Sequence, residues 1–358
     1  MTNLLDLIGV RLPIIQAPMA GVSSPAMAAA VSEAGGLGSI GVGATDATGA
    51  RAMIAAVRQL TPKPFNVNLF CHRPAVADAA LEAVWIERLR PEFKAFGAFP
   101  PATLSEIYRS FVEDEAMLRM LIDERPPVVS FHFGLPGVSA IRALRDAGVI
   151  LLATATNLAE ASTIETAGID AIVAQGWEAG GHRGMFDPDG PDEQLGTMAL
   201  TRLLVTATKL PIIAAGGIMD GASIAAALSL GAVAAQLGTA FIATRESLAD
   251  SGYLATLASP AAYSTTMTRV ISGRPARSLS NRFTALGEAV PEKAVPAYPI
   301  AYDLGKALHA AGKACGDFGF GAQWAGQGAP LARAMSAAEL VAILVAELEQ
   351  AGRDIPLR

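Results

Sequence analysis

Short, continuous apolar runs recur along the first two thirds of the chain, each closed by glycine or proline and followed by residues at helical spacing. Eight such runs lie at residues 11–19, 37–43, 64–70, 128–134, 149–155, 171–176, 210–217 and 232–238. They do not alternate apolar with polar, so each predicts a strand buried on both faces, as in a parallel sheet covered by crossover helices. Helices are predicted at 26–34, 50–60, 137–147 and 158–167, the first entered through Ser23-Ser24-Pro25 and ended by Gly35-Gly36. Eight strand–helix units predict an α/β fold, a closed (β/α)8 TIM barrel over residues 1–247. An open doubly wound sheet is the alternative, but the first strand–helix turn lacks the Gly-x-Gly-x-x-Gly fingerprint.

Two departures interrupt the repeat. Residues 71–125 carry more charge and predict amphipathic helices near 81–90 and 113–124, a helical insertion after the third strand. Beyond about residue 248 the apolar strand runs stop. Helices are predicted at 304–312 and from Ser336, a candidate N-cap, to residue 350. Residues 248–358 thus predict a smaller, mainly helical segment covering the barrel mouth, its last helix lying on the barrel.

Composition narrows the class. With 52% hydrophobic and 17% charged residues and 35 glycines, the chain can bury a large core. A net charge of −6 argues against a nucleic-acid or anionic-membrane partner. Cys71 and Cys315 have neither disulfide-framework nor zinc spacing, and the N-terminus has no basic region before an apolar core. A cytoplasmic protein, monomer or homodimer, is expected. Residues 221–244 are uncharged over about the length of a membrane span, but Gln236 and the helix-then-strand pattern predict a buried α/β unit.

Barrel active sites form at the C-terminal strand ends, often with phosphate on the last two strand loops. Those loops carry Gly216-Gly217 and Gln236-Leu237-Gly238-Thr239, and glycine loops feeding helix N-termini present N–H groups to an anion. Asn68 and Gln175 end the third and sixth strands with carboxamides suited to a heteroaromatic edge. His132 and His182 point to the same mouth, His182 after Gly180-Gly181. Tyr302 and Lys306 stand one helical turn apart, close to Tyr298, and could hold a small anion; Tyr108 and Tyr253 are weaker candidates. The acidic stretch 187–193 lacks the spacing of a calcium loop and is expected to be exposed. There is no serine-hydrolase elbow, P-loop or zinc-protease motif, and no metal site is expected.

Six segments, Gln16-Ala-Pro-Met-Ala-Gly21, Asn66-Val-Asn68, Ser130-Phe-His-Phe-Gly134, Gln175-Gly-Trp-Glu-Ala-Gly-Gly-His-Arg-Gly184, Ala215-Gly-Gly-Ile-Met-Asp-Gly221 and Gln236-Leu-Gly-Thr-Ala-Phe241, resemble the nitronate monooxygenases, formerly 2-nitropropane dioxygenases. The likeness continues through Ser280-Asn-Arg-Phe283, Tyr298-Pro-Ile-Ala-Tyr302 and Trp324-Ala-Gly-Gln327, which are similar to the class I enzymes; Val22 departs from the small residue expected there. The resemblance implies an FMN enzyme without metal that oxidises alkyl nitronates with O2 to carbonyl compounds and nitrite. It implies FMN on Met19, Ala20, Asn68, Gln175, Gly180, Gly181, Gly216, Gly217 and 236–239, with His182 catalytic and His132, Tyr298, Tyr302 and Lys306 around the substrate. An FMN-dependent NAD(P)H reductase of quinones or enoyl thioesters is the nearest alternative; a phosphate-sugar isomerase or lyase and a non-catalytic flavin carrier are more distant ones.

Overall fold

In a computed structural model, which describes residues 4–354, the eight predicted runs become strands of one parallel sheet. These are β1 (Ile14–Gln16), β2 (Gly38–Gly41), β3 (Phe65–Phe70), β4 (Val128–His132), β5 (Ile150–Ala155), β6 (Ala171–Gln175), β8 (Ile212–Ala215) and β9 (Ala234–Leu237); the short β7 (Gly181–His182) lies outside the barrel. The order β1-β9-β8-β6-β5-β4-β3-β2 closes through an Ile15–Leu37 bridge, with Gln16 N donating to Leu37 O at 2.9 Å. The fold is therefore a (β/α)8 barrel. Val128, Leu152, Val173 and Ile213 fill its interior, and Leu4, Ile8 and Val10 join that cluster from the N-terminal segment.

Local chemistry explains the helix starts. Ser24 accepts from Met27 N with Pro25 in the first turn, Asp46 caps Ala47–Leu60, and Asp220 forms a reciprocal capping box with Ser223 at the head of Gly221–Ser229. That last helix and β9 resolve the uncharged stretch as a buried α/β unit; among the described residues no helix is long and apolar enough to cross a membrane.

The two helices predicted after β3 go to different places. In Ala79–Ala95, Trp85, Ile86, Leu89 and Phe93 pack against Leu304 and Leu308 of Ile300–Ala314, in the segment over the mouth. Glu115–Glu124 instead packs Met117, Met120 and Leu121 into the barrel wall, where a crossover helix belongs.

One expectation past residue 248 needs correction. The segment is mainly helical, but it also forms β10 (Thr265–Thr268) and β11 (Ala276–Leu279), which pair antiparallel, and β11 pairs with β7. Neither has an apolar run: β10 reads Thr-Thr-Met-Thr and β11 Ala-Arg-Ser-Leu. The closing helix Ala337–Asp354 starts at Ser336, whose Oγ accepts from Glu339 N at 3.2 Å, and buries Ala337, Leu340, Val341 and Leu344 with Met27, Val31 and Ile224 of two barrel helices.

That docking is close enough to require glycine. A Cβ on Gly221 would lie 2.1 Å from Leu348 N, and Gly221 N donates to Glu347 at 2.9 Å. Gly221→Ala should therefore lower unfolding stability by about 1–3 kcal/mol, the usual penalty of overpacking. An unshifted urea midpoint in that variant would show that the helix can slide without cost.

Candidate active site

The barrel mouth opens into a cavity of about 1330 Å³, its open end included. Of the residues singled out in the sequence, Met19, Ala20, Asn68, His132, Gln175, Gly180, Gly181, His182, Gly216, Gly217, Gln236, Gly238, Thr239, Tyr298 and Tyr302 line it, as do the weaker candidates Tyr108 and Tyr253. Two do not. The Leu237 side chain is packed in the sheet–helix core, because residues of a strand alternate faces. Lys306 lies behind the wall, its Nζ donating to Tyr108 Oη at 2.8 Å above the Tyr108 and Tyr302 rings.

The loop from Gln175 to Gly184 is held at four points. Gln175 Nε2 donates to His182 O at 2.9 Å, and its Oε1 accepts from Gly184 N at 2.7 Å. Arg183, fully buried, pairs with Asp192 at 2.8 and 2.9 Å and donates to Gln175 O at 2.9 Å. Glu178 accepts from Thr197 N and Oγ1, and β7 hydrogen-bonds to β11. The stretch 187–193 is thus not simply exposed: Asp192 anchors the loop, and Asp189 pairs with Arg269.

The glycines divide into different roles. Gly181 has φ +74°, a left-handed conformation favouring glycine, whereas a Cβ on Gly180 would fall 2.4 Å from Gly326 N. Gly180 is needed to pack on residues 324–328, which arrive from the C-terminal segment and also carry the cavity residues Trp324 and Gly328. Gly326 N donates to Thr239 Oγ1 at 3.0 Å and Gln327 N to Glu178 O at 2.9 Å. Gly217 is left-handed at φ +68°. The backbone N–H groups of Gly217 and Thr239 have no partner among the described residues. The helix start after Gly217 differs from expectation: Asp220 and Glu347 already occupy N–H groups there, so an anion meets the loop rather than the helix end.

The carboxamides also separate. Gln175 is spent on its own loop, while Asn68 Nδ2 donates to Ser130 Oγ at 2.9 Å and Gln236 has no side-chain partner among the described residues.

His182 stands in an aromatic cage, with ring centres 5.0 Å from Trp324, 5.3 Å from Tyr298 and 5.6 Å from Phe133. Its Nε2 lies 2.9 Å from Ser272 Oγ, which can also donate to Arg274 O at 3.3 Å. His132 is held by Thr154 Oγ1 at 3.0 Å and His182 O at 3.2 Å. Burial lowers the His132 pKa to about 4, and burial followed by the charge of Arg274 holds His182 well below the usual range. Sequence reasoning missed Ser272, Arg274, Phe133, Thr154, Ser130 and His72. Ser272, Arg274 and His72 come from segments without an apolar run; Thr154, Ser130 and Phe133 lie in the predicted runs 149–155 and 128–134, of which only His132 was singled out.

The model for the nitronate monooxygenase family matches residues 1–347. The chain belongs to that family. It is an oxidoreductase of a generally flavin-dependent group. A nitronate monooxygenase of Paraburkholderia phytofirmans is 64% identical, covering 97% of this chain and 95% of its own length. One from Pseudomonas aeruginosa is 55% identical, covering 96% and 97%. Among solved structures, a nitroalkane oxidase from Streptomyces ansochromogenes superposes with a TM-score of 0.90 at 42% identity, covering 99% of this chain and 100% of that one. FabK from Thermotoga maritima superposes at 0.75 with 28% identity, covering 99% and 98%.

Buried neutral histidines make stability pH-dependent. His72, fully enclosed, also has its pKa lowered to about 4 by burial. Unfolded histidine titrates near pH 6.5, so between about 6.5 and 4 the unfolded chain binds more protons and stability falls as pH falls. Each such histidine contributes a slope of up to about 1.4 kcal/mol per pH unit. The urea midpoint should drop from pH 6.5 to 4.5, and His72→Phe should flatten that drop; equal slopes in the two proteins would mean that His72 is not held neutral.

Proposed function

We propose that the protein binds FMN at the barrel mouth and oxidises alkyl nitronates, such as propionate 3-nitronate, with O2 to a carbonyl compound and nitrite. The observation that carries this reading is His182, neutral and caged in the cavity wall across from two glycine loops with unpartnered N–H groups, in a chain of the nitronate monooxygenase family.

The residues present fit that cofactor. The cavity lining brings backbone N–H donors, carboxamides and aromatic rings into one continuous space. The N–H groups of Gly217 and Thr239, with the Thr239 hydroxyl, suit a phosphate. Gln236 and Asn68 offer carboxamides to a ring edge, and Met19 and Ala20 border the same space. When bound, FMN supplies the electron chemistry that the side chains lack.

The protein's part is position and proton control. Ser272 Oγ serves His182 Nε2 as acceptor or donor, so either His182 tautomer is supported. With Nε2 protonated, Nδ1 is a lone pair able to take the Cα proton of a neutral nitroalkane. With Nε2 accepting from Ser272, Nδ1–H can donate to a nitronate oxygen. His182 does not act as a standing cation, since burial opposes its charge. The cage of Trp324, Tyr298, Tyr302 and Phe133 excludes water from that side, and the Tyr298 hydroxyl is buried within it without a partner among the described residues.

Anaerobic mixing with propionate 3-nitronate, then with NADH, while the flavin spectrum is recorded tests the reading. Spectral change with the nitronate supports it, whereas bleaching by NADH and silence toward nitronate would replace it with an NAD(P)H reductase. His182→Asn should keep its flavin yet lose at least roughly tenfold in turnover, since positioned proton transfer contributes about 10²–10⁴-fold; unchanged turnover on nitronate and nitroalkane would remove His182 from the mechanism. Gly217→Asp, which puts a carboxylate at the left-handed loop position, should be purified with little flavin. A full complement in that variant would relocate the phosphate.

A further inference from the structure

The cavity has no charged wall: among the described residues, no Asp, Glu, Lys or Arg lines it. Two cations lie behind it, Lys306 against the Tyr108 and Tyr302 rings and Arg274 against Phe133. Arg274 is 2% exposed, its guanidinium 4.2 Å from the centre of the Phe133 ring, and that ring also neighbours His182 and Tyr298, at 5.6 and 5.5 Å between centres.

A buried guanidinium ordinarily has a carboxylate. Arg274 has no ion-pair partner among the described residues: it donates to Met185 O, and its Nε is buried without a partner. The nearby acids Glu160 and Asp189 act on it through their charge but form no ion pair with it. Glu160 accepts from Thr156 N, Thr156 Oγ1 and Phe186 N, Asp189 pairs with Arg269, and Asp192 pairs with Arg183. The surrounding rings add no negative charge, because His72, His132 and His182 are neutral and Tyr298 keeps its proton, its buried hydroxyl also unpartnered. The positive charge thus has no ion-pair partner among the described residues, and the Glu160 and Asp189 carboxylates reach it only at longer range.

We infer that Arg274 is a specificity-determining residue: its unpaired charge, acting across the Phe133 ring, makes the cavity prefer an anionic substrate to the neutral molecule of the same shape. The inference rests on the proposed nitronate reaction for its biological sense, but not for its physical content. Arg274 does not touch the substrate and is a positioning charge rather than a catalytic residue. At an effective dielectric near 20, a unit charge held about one aromatic ring away from an anion changes its affinity by about tenfold.

The test uses flavin-loaded protein and two probes that cannot be oxidised: nitrate, a planar anion, and 2-methyl-2-nitropropane, which is neutral and has no Cα hydrogen. Arg274→Met should weaken nitrate binding, measured by calorimetry, by about tenfold or more and raise the KM for ethyl nitronate similarly, with kcat and the affinity for the neutral probe within about threefold. Arg274→Lys, which keeps the charge, should stay within about threefold of wild type for nitrate. Unchanged nitrate affinity in Arg274→Met, or equal losses for both probes, overturns the inference. If Arg274→Met does not fold, Arg274→Lys decides, and a tenfold loss of nitrate affinity there overturns it as well. A wild-type protein inert toward nitronates would refute the proposed function while leaving the nitrate comparison intact.

Discussion

The mouth of this barrel depends on the attachment of the Gln175–Gly184 loop by a buried carboxamide and a buried guanidinium. Gln175 clasps the far end of its own loop from both sides, and Arg183 ties the near end to Asp192. Removing either partner would leave a desolvated polar or charged group, which costs far more than the net value of the contact. The loop is therefore fixed by what breaking it would expose. Once fixed, it offers β7 to the C-terminal ribbon, and the ribbon brings Ser272 and Arg274 to His182. One local constraint thus joins two distant stretches of chain into a site.

The electrostatics follow from the same burial. Three histidines around Phe133 are neutral because they are desolvated and share a neighbourhood with Arg274. A site made of neutral imidazoles, phenols and backbone N–H groups has many donors and little fixed charge. It suits an anion whose charge shifts during reaction, since those donors are preorganised and need no counter-ion to be displaced.

Much of this was legible in the sequence, and the exceptions have physical causes. The barrel strands are readable because burial on both faces leaves continuous apolar runs, and the strand ends then place His132, His182 and the Gly216-Gly217 loop at the mouth. The ribbon was not, because its strands are stabilised by pairing and by polar contacts such as Arg277 with Trp177 O, which leave no periodic signal. Helical spacing correctly put Tyr302 and Lys306 on one face but says nothing about what that face meets; Tyr108, from the segment after β3, takes the ammonium. Likewise a glycine can be read, but its reason cannot: Gly181 serves the backbone angle and Gly180 the approach of Gly326. Gln175 and Gln236 look alike at strand ends, yet the chain's return at Gly184 occupies one and leaves the other free.

Phe133 connects these threads. It is a bulky residue at φ +75°, in the left-handed region, where side chains other than glycine, asparagine and aspartate are uncommon. Such a conformation costs of order 1–3 kcal/mol and persists only where the surroundings over-determine it. Here Phe70, His132, Tyr298 and Arg274 surround the ring. An extended residue following β4 would aim its side chain elsewhere and take the ring away from Arg274, His132 and His182. Phe133 lines the cavity and the guanidinium lies against it, so Arg274 acts on the cavity through its field without lining it. The strained backbone thus holds a cation without an ion pair close behind the cavity lining and outside it.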